Sequence, residues 1–293
     1  MKQLELLAKR LLRQIDQELF RIGFLFRSYF RCKEMESIQN KIIRKNYSMS
    51  GGKIQDVIGI RINLYFVDDI PLVVDFLKDL FELDNHELDT HNDTTFQPTR
   101  NNLVFKIPEG FKNEFTVGVS DLNNCIDCTF EVQIRSVLSE GWHEVEHDLR
   151  YKHHSNWEKR HELSRILNGI YATLETSEWA MLQVFSKLSY NNYKEKEWEP
   201  LIRNTMRLRI KSHPPLNQKL IEIFNSDKNL TKEIQRIKRS NYLKQFIGTK
   251  FSVPITYDNI VFTINHLFIH NHEIVEIVPA NIQGDLDVCF PKK

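Results

Sequence analysis

The sequence predicts an α/β protein with a mainly helical C-terminal extension, and three observations support this fold class. Leucine and isoleucine recur at helical spacing near the N-terminus. The middle of the chain carries several segments rich in β-branched and aromatic residues, which favour β-strands. Beyond about residue 155 the apolar pattern is helical almost to the C-terminus.

The first third of the chain predicts three helices and one strand. Residues 1–30 predict an amphipathic helix, and residues 34–44 predict a second one. The segment "IQDVIGIRINLYF" is typical of a largely buried strand, and residues 69–81 predict the next helix. The apolar stripe of the first helix consists of Leu4, Leu7, Leu11, Ile15 and Leu19.

The rest of the chain predicts three more strands and then a series of helices. After the polar loop "DNHELDTHNDTTFQPTRNN", the segments "LVFKI", "FTVGV" and "FEVQIR" predict strands. The segment that follows "FEVQIR" predicts a helix, and a helix followed by a short strand is predicted for the tail. Helices are also predicted over residues 156–188, 198–210, 214–224 and 229–246. A polar segment near 190–199 predicts a boundary between a domain of residues 1–190 and an extension of residues 191–293.

Composition limits the classes of function. Of 293 residues, 41% are hydrophobic and 27% are charged, with a net charge of +1, so a nucleic-acid site would need a local basic patch. No apolar run is long enough to span a membrane, and the charged N-terminus does not resemble a signal peptide. We therefore expect a cytoplasmic protein without a membrane partner.

The motif "CIDC" has a spacing that fits a metal site. Cys125 and Cys128, together with His143 and His147, formally fit a Cys₂His₂ zinc site. The alternative is that both cysteines only precede a strand and bind nothing. The sequence leaves this choice open.

The stretch from Phe130 to His153 is unusually charged for residues between apolar positions. Period-two alternation places Glu131, Gln133 and Arg135 on one face of a predicted strand. The following helix places Glu140 and Glu144 together on one stripe. A half-exposed strand followed by a helix with solvated charges would show the same pattern.

Two other segments carry matching chemistry. In "RCKEMESIQNK", Lys33, Ser37 and Lys41 could converge on a phosphate, although a solvated helix end would also explain them. In "DVIGIRI", the charged residues Asp56 and Arg61 interrupt an otherwise apolar strand. Charges in such a strand are unfavourable unless they bind a ligand in a functional site or pair in a structural salt bridge. Because five residues separate them, either a bulge lies between them or Asp56 precedes the strand.

An acidic residue on each of two strands, surrounded by cations, suits phosphate chemistry. Two carboxylates can bind Mg²⁺, which bridges nucleotide phosphates, while lysine and arginine neutralise the charge that develops during transfer. The residues therefore indicate phosphoryl or pyrophosphoryl transfer.

The segments "RCKEMESIQNK", "DVIGIRI" and "EVQIRSVLSEGWHEVEHDLRYK", in this order, resemble the synthetase domain of the RelA/SpoT alarmone synthetase family. The resemblance covers residues from about 30 to 152. It implies a nucleotidyltransferase-like mixed β-sheet flanked by helices, and transfer of the β,γ-pyrophosphate of ATP to a ribose 3′-hydroxyl. We expect a small, synthetase-only member of the family.

The resemblance also implies a role for each matching residue. Asp56 and Glu131 would be catalytic and would bind Mg²⁺, with Glu131 as a ligand or as the base for the acceptor hydroxyl. The expected ATP-binding residues, of which the two arginines would flank the adenine, are Arg31, Lys33, Ser37, Lys41 and Arg61. The expected acceptor-binding residues are Phe96, Arg100, Gln133, Arg135, Glu140, His147 and Lys152.

Departures from the family pattern concern the acceptor. A family loop resembling Tyr-x-Ser-x-His corresponds to "FQPTR" here, with Phe96 for stacking, Pro98 for the serine and Arg100 for the histidine. Glu140 stands where small synthetases often carry asparagine. The pattern is similar to toxic members that modify the 3′-CCA end of tRNA, and it predicts tRNA as the acceptor and a translation-inhibiting toxin, with an antitoxin as a partner.

Two alternatives stay open at this point. The acceptor could be a guanosine or adenosine nucleotide, which would make the protein an alarmone synthetase of the stringent response. The chain could also be a catalytically inactive RNA-binding module. The basic segments "RNTMRLRIKSH" and "KEIQRIKRSNYLK" could bind tRNA phosphates or could be solvated helix faces.

Overall fold

The structure, a computed structural model, describes residues 2–47, 53–88, 101–120, 125–210 and 214–291. These residues fold into two compact units. The first unit comprises Met1–Gln17 and Phe26–Glu178, and the second comprises Glu18–Leu25 and Trp179–Lys293. The proposed division of the chain between residues 190 and 191 stays a prediction.

The first unit contains a mixed five-stranded sheet, as predicted. Its strands are Phe26–Cys32 (β1), Ile58–Leu64 (β2), Leu83–Leu88 (β3), Asn101–Lys106 (β4) and Thr129–Ser136 (β5). The strand order is β1-β2-β5-β4-β3. Strands β2 and β5 are parallel, and every other neighbouring pair is antiparallel.

Helices flank the sheet strands in the sequence of the first unit. They are Lys2–Ile22 (α1), Met35–Lys45 (α2), Ile70–Leu80 (α3), Lys112–Gly118 (α4), Val137–Leu149 (α5) and His154–Trp157 (α6), and the last residues of α1, from Glu18 on, belong to the second unit. Short 3₁₀ turns occupy Val67–Asp69, Glu109–Phe111 and Tyr151–His153. The helix His161–Glu195 (α7) begins in the first unit and ends in the second.

The second unit confirms the predicted helical C-terminal part. Its helices are Trp198–Met206 (α8), Gln218–Ser226 (α9), Lys228–Arg236 (α10), Arg239–Lys244 (α11), Tyr257–Ile264 (α12), His272–Ile277 (α13) and Ala280–Cys289 (α14). A π-helical turn at Asn265–Ile269 follows α12. The prediction of a short strand in the tail is wrong. The segment after the π-helical turn forms the helix α13, in which Ile274 is buried and Val275 is 39% exposed.

Alternation along the strands separates an apolar face of the sheet from a polar one. The apolar face is buried and forms the centre of the core; its residues include Ile58, Ile60, Ile62, Leu103, Phe105, Phe130, Val132 and Ile134. The rings of Phe81, Phe105 and Phe130 pack with centroid distances of 5.1 to 5.7 Å. The predicted apolar stripe of α1 is also fully buried.

The first predicted helix was too long. Residues 26–30, which we expected to be helical, belong to β1. The helix ends at Gly23, whose φ of 92° lies in the left-handed region that favours glycine. Gly23 and Phe24 both donate backbone hydrogen bonds to the Leu19 carbonyl, which closes the last turn.

The prediction of a strand at "FTVGV" is wrong. These residues lie at the end of α4, where Phe115 and Val119 are buried at the spacing of one helical turn. A β-carbon at Gly118 would come within 2.8 Å of the Leu4 side chain, so the glycine permits close approach to α1. The polar loop before "LVFKI" also contains a strand that we did not predict, β3.

Other helix predictions differ mainly in their bounds. The segment 229–246 is divided into α10 and α11 by extended backbone at Ile237 and Lys238. α8 ends at Met206, and Arg207 follows in the left-handed region with φ of 46°. Within the part of the chain that the structure describes, no helix is both long and apolar enough to cross a membrane.

Candidate active site

The polar face of the sheet collects most of the predicted site residues. Strand pairing places Tyr29 beside Arg61, Arg31 beside Gly59, Glu131 beside Gly59 and Arg135 beside Asn63. Asn102 of β4 lies opposite Gln133 of β5. We call this surface the polar face, and its residues are Tyr29, Arg31, Arg61, Asn63, Asn102, Glu131, Gln133 and Arg135.

Asp56 lies immediately before β2 and is surrounded by lysine. Its carboxylate accepts hydrogen bonds from Lys33 Nζ at 2.6 Å and from Lys41 Nζ at 3.0 Å. Burial alone would raise the pKa of Asp56, but the two ammonium groups outweigh it and hold this pKa below its ordinary value. Lys33 and Lys41, whose side chains can bind phosphates, therefore both lie beside the Asp56 carboxylate.

The local backbone explains how Asp56 reaches this position. The pairing of β1 with β2 continues without a break through Gly59, so there is no bulge there and Asp56 precedes the strand. Ile54 forms a bridge with Ile126, and the Lys33 backbone nitrogen donates to the Val57 carbonyl at 2.9 Å. The segment that carries Asp56 is thus fixed on both sides by backbone hydrogen bonds.

Glu131 lies on β5 between two amide side chains. Asn102 Nδ2 donates to Glu131 Oε1 at 3.0 Å, and Gln133 Nε2 donates to Glu131 Oε2 at 2.9 Å. Burial raises the pKa of Glu131, Gln133 opposes this, and the negative charges of Asp56 and Glu87 raise it further. Glu131 pairs with Gly59, three residues after Asp56, so the two carboxylates belong to neighbouring segments of the chain at the same end of the β2–β5 pair.

This pair of carboxylates fits Mg²⁺ on its chemistry. Mg²⁺ is usually bound by one or two carboxylates together with water and substrate phosphates, and Asp56 and Glu131 supply two hard oxygen ligands. Lys33 and Lys41 lie beside Asp56, where they could bind the phosphates that the metal would bridge. Among the described residues, no group of three or more histidine, cysteine, aspartate or glutamate side chains could hold a metal without further ligands.

Arg61 is held in a network of carboxylates. Its Nη1 donates to Glu140 Oε1 at 2.5 Å and also to Glu144, and its Nε donates to Gln133 Oε1 at 3.1 Å. The guanidinium carbon lies 5.5 Å from the centre of the Tyr29 ring. Gln133 therefore connects the Glu131 end of the site to the Arg61 end.

Glu140 is the centre of that network. The residue is 6% exposed, and its second oxygen accepts from Arg135 Nη1 at 2.8 Å. Burial opposes ionisation of Glu140, but the bonds from Tyr29, Arg61 and Arg135 together hold its pKa below the ordinary value. Both carboxylate oxygens are thus occupied by side chains of the polar face rather than directed at an acceptor.

The remaining ATP-side predictions lie at the edge of this site. Arg31 is exposed on β1, two residues along from Tyr29, and so lies on the same face as Arg61. Ser37 is exposed on α2, one helical turn before Lys41. Both stay predicted ligands of ATP.

The structure does not bring His147 and Lys152 to the polar face. Both contact Asp148 at the exposed end of α5, at 3.1 Å from His147 Nδ1 and 2.6 Å from Lys152 Nζ. His147 also stacks on Tyr151. Among the described residues, Cys125 and Cys128 form neither a disulfide nor a metal cluster with histidine. Phe96 and Arg100 lie outside the described residues.

Sequence reasoning missed two side chains of the site. Tyr29 was expected in a helix, although the alternation in "FRSYFRC" was a signal for a strand. Asn102 was expected at the end of a polar loop, and only the pairing of β4 with β5 reveals its hydrogen bond with Glu131.

Comparisons with known proteins match the part of the chain that carries these residues. Residues 30–156 match the sequence profile described as "Region found in RelA / SpoT proteins". The GTP pyrophosphokinase YwaC of Bacillus subtilis (strain 168) is 28% identical over 131 residues, which cover 42% of this chain and 56% of that protein. The match therefore spans little more than half of this relative.

Two solved structures are similar to part of the chain. Small alarmone synthetase 1 from Bacillus subtilis has 20% identity and a TM-score of 0.45, covering 62% of this chain and 94% of that one. A GTP pyrophosphokinase family protein from Streptococcus pneumoniae has 19% identity and a TM-score of 0.44, covering 60% and 86%.

Proposed function

We propose that the protein is an ATP-dependent pyrophosphokinase, because its residues 30–156 match the profile of a region found in RelA / SpoT proteins. It transfers the β,γ-pyrophosphate of ATP to a ribose 3′-hydroxyl. The observation that carries this proposal is the Asp56 carboxylate, held by Lys33 and Lys41 just before β2, with Glu131 on the neighbouring strand β5. Acids and cations in this arrangement suit the binding and activation of a polyphosphate.

The side chains suggest how the transfer proceeds. The acceptor oxygen bonds to the β-phosphorus, the bond from that phosphorus to the α,β-bridging oxygen breaks, and AMP leaves. Glu131 takes the proton of the acceptor hydroxyl, and its raised pKa suits a general base. Lys33 and Lys41 neutralise phosphate charge, and Mg²⁺ bound by Asp56 and Glu131 would supply further charge stabilisation.

We propose the 3′ end of tRNA as the acceptor, and growth inhibition through blocked translation as the consequence. Phe96, Pro98 and Arg100 depart from the family's guanine-reading loop. Glu140 supports this view, because its two oxygens are occupied by Arg61, Arg135 and Tyr29 and are not available to read a guanine. An antitoxin partner follows as part of this proposal.

A guanosine or adenosine nucleotide is the second candidate acceptor. The observation that favours it is the similarity to YwaC, which is described as a GTP pyrophosphokinase. Incubation with γ-labelled ATP and either deacylated tRNA or GDP separates the candidates. We expect label on tRNA; label only on the nucleotide would establish the second candidate.

Isosteric variants test the proposed chemistry. Asp56→Asn and Glu131→Gln should each abolish transfer and growth inhibition, because each removes a carboxylate with little change of shape. Leu6→Gln, at an apolar side chain that is 57% exposed on α1, is a control that should transfer normally. Growth inhibition that persists in both site variants would instead favour an inactive RNA-binding module.

A further inference from the structure

Asn102 is a buried amide of which only one half is paired. The residue is 8% exposed, and its Nδ2 donates to Glu131 at 3.0 Å. Its Oδ1 is buried and has no hydrogen-bond partner among the described residues. The assignment of the two amide atoms follows from chemistry, since an ionised carboxylate only accepts hydrogen bonds.

The unpaired oxygen lies next to the proposed base. Asn102 and Gln133 are opposite each other in the β4–β5 pairing, and they donate to different oxygens of Glu131. This clamp fixes the carboxylate from both sides. The Glu131 carboxylate and the buried Asn102 carbonyl oxygen are thus hydrogen-bond acceptors of two side chains that contact each other.

Two adjacent acceptors suit a pair of adjacent hydroxyl groups. A buried carbonyl oxygen without a donor is unfavourable, so a ligand that supplies a donor gains from pairing with it. A ribose offers vicinal 2′- and 3′-hydroxyls, and a 2′-deoxyribose offers only the second. A site built to bond a hydroxyl discriminates strongly against a substrate that lacks it.

We propose that Asn102 recognises the acceptor ribose, with its Oδ1 accepting a hydrogen bond from the 2′-hydroxyl while Glu131 accepts one from the 3′-hydroxyl. This inference rests on the proposed function, because it concerns the acceptor of the same transfer. It makes Asn102 the residue that selects ribose over 2′-deoxyribose acceptors, whether the acceptor is tRNA or a nucleotide.

Asn63 provides a matched control. It is also a buried asparagine of the polar face, 9% exposed, with an Oδ1 that has no partner among the described residues. It lies on β2 beside Arg135, whose Nε is likewise unpaired, and no hydrogen bond joins it to Glu131 among the residues that the structure describes. Its amide therefore resembles that of Asn102 in burial but not in position.

The experiment compares ribose with 2′-deoxyribose acceptors. Transfer is measured to tRNA that ends in adenosine or in 2′-deoxyadenosine, and to GDP or 2′-deoxy-GDP, for wild type, Asn102→Ala and Asn63→Ala. For wild type we expect kcat/KM to favour the ribose acceptor by about tenfold or more. Asn102→Ala should bring this ratio close to one, because the ribose acceptor loses more activity than the 2′-deoxyribose acceptor, with an unchanged KM for ATP, whereas Asn63→Ala should keep the ratio.

The outcomes distinguish this inference from the proposed function. Equal use of both acceptors by wild type, or a ratio that survives in Asn102→Ala, would overturn the inference and leave the transferase proposal intact. Absence of transfer by wild type to every acceptor would overturn both. If thermal melting shows that Asn102→Ala does not fold, Asn102→Ser replaces it with the same expectation, since its shorter side chain withdraws the oxygen.

Discussion

At the scale of single residues, the Glu140 carboxylate binds the side chains of two arginines, and its contact with an acceptor stays a prediction. Its exposed fraction is 6%, and Arg61, Arg135 and Tyr29 all bind its carboxylate. Arg61 is the residue that the resemblance assigns to adenine stacking. We therefore expect Glu140 to act on ATP binding through the position of Arg61.

Glu140 and Glu144 offer a matched test, because both contact the same nitrogen of Arg61. The side chain of Glu140 is 8% exposed and that of Glu144 is 55% exposed. Glu140→Gln should lower the free energy of unfolding by about 3 kcal/mol, since it removes the carboxylate that pairs with the largely buried guanidinium of Arg135. It should also weaken binding of a non-hydrolysable ATP analogue, because Arg61 loses one of its two carboxylate partners. Glu144→Gln should change the free energy of unfolding by no more than about 0.5 kcal/mol.

Denaturant titration and analogue binding at neutral pH check this prediction. Because the folded-state pKa of Glu140 is held below its ordinary value, its stabilising contribution should be present at neutral pH and lost as the pH falls through that folded-state pKa. Equal effects of the two substitutions would show that the burial of Glu140 does not matter.

At the scale of elements, the junction of β5 and α5 shows how the sheet is joined to its helices. Ser136 ends β5 and caps α5, since its Oγ accepts from the Ser139 backbone nitrogen at 3.0 Å. The same hydroxyl donates to Glu178 of α7, which is 7% exposed. Burial raises the pKa of Glu178, and the bond from Ser136 only partly opposes it.

This junction predicts a pH dependence of stability. A carboxyl with a raised folded-state pKa favours folding most below its ordinary pKa, and this contribution is lost as the pH rises through the raised value. Glu178→Gln should therefore raise the melting temperature at neutral pH, and the difference from wild type should disappear below the ordinary glutamate pKa. Glu162→Gln, at an exposed position on the same helix, should leave the melting temperature unchanged.

Thermal melting of wild type and of both variants, from neutral pH to below the ordinary glutamate pKa, tests this prediction. A melting temperature of Glu178→Gln that is below wild type at every pH would mean that the bond from Ser136 outweighs the burial of the charge.

Pattern alone identified the elements whose two faces differ strongly. β5 alternates between apolar and polar residues, and α3 carries an apolar stripe, so both were predicted. The predictions for two segments with mixed patterns were wrong. β1 follows directly on a strong helical pattern, so it was predicted as helix. The segment "FTVGV" contains β-branched residues, so it was predicted as a strand although Phe115 and Val119 have helical spacing. In each of these cases burial against other elements decided the local conformation.

At the scale of the whole molecule, the net charge of +1 is too small to attract tRNA by itself, so any tRNA binding would depend on local basic surfaces. The segment "KEIQRIKRSNYLK" in the second unit contains one such set of cations. Arg239 within it is 7% exposed and donates to the Met206 carbonyl, so that residue is structural. The exposed cations of the segment are Lys232, Arg236, Lys238 and Lys244.

Replacing these four exposed cations with glutamine tests the tRNA proposal. We expect weaker tRNA binding and a shallower dependence of log K on log salt, with the slope reduced by about one for each phosphate that is no longer neutralised. Transfer to a nucleotide should be unaffected. The control variant removes the same number of exposed charges from the first unit, at Lys2, Lys9, Arg13 and Lys78.

Both variants and wild type are compared by measuring their tRNA affinity over a range of salt concentrations. If the variant of the second unit binds tRNA with the salt dependence of wild type, this segment is not the tRNA surface.

By itself, the sequence predicted which residues could carry the chemistry and how neighbours along one element are arranged. The spacing of Lys33 and Lys41 and the alternation that places Glu131 on the polar face of its strand both depend on local geometry, which has a fixed period in helices and strands. These features were sufficient to indicate pyrophosphate chemistry before any fold was known.

Only the tertiary structure decided which distant side chains meet. Tyr29, Arg61 and Glu140 come together because β1 pairs with β2 in one register and α5 follows β5. Asn102 reaches Glu131 because β4 is the antiparallel neighbour of β5. Strand order and register are set by burial of the whole apolar face, a collective property that no short segment of sequence contains.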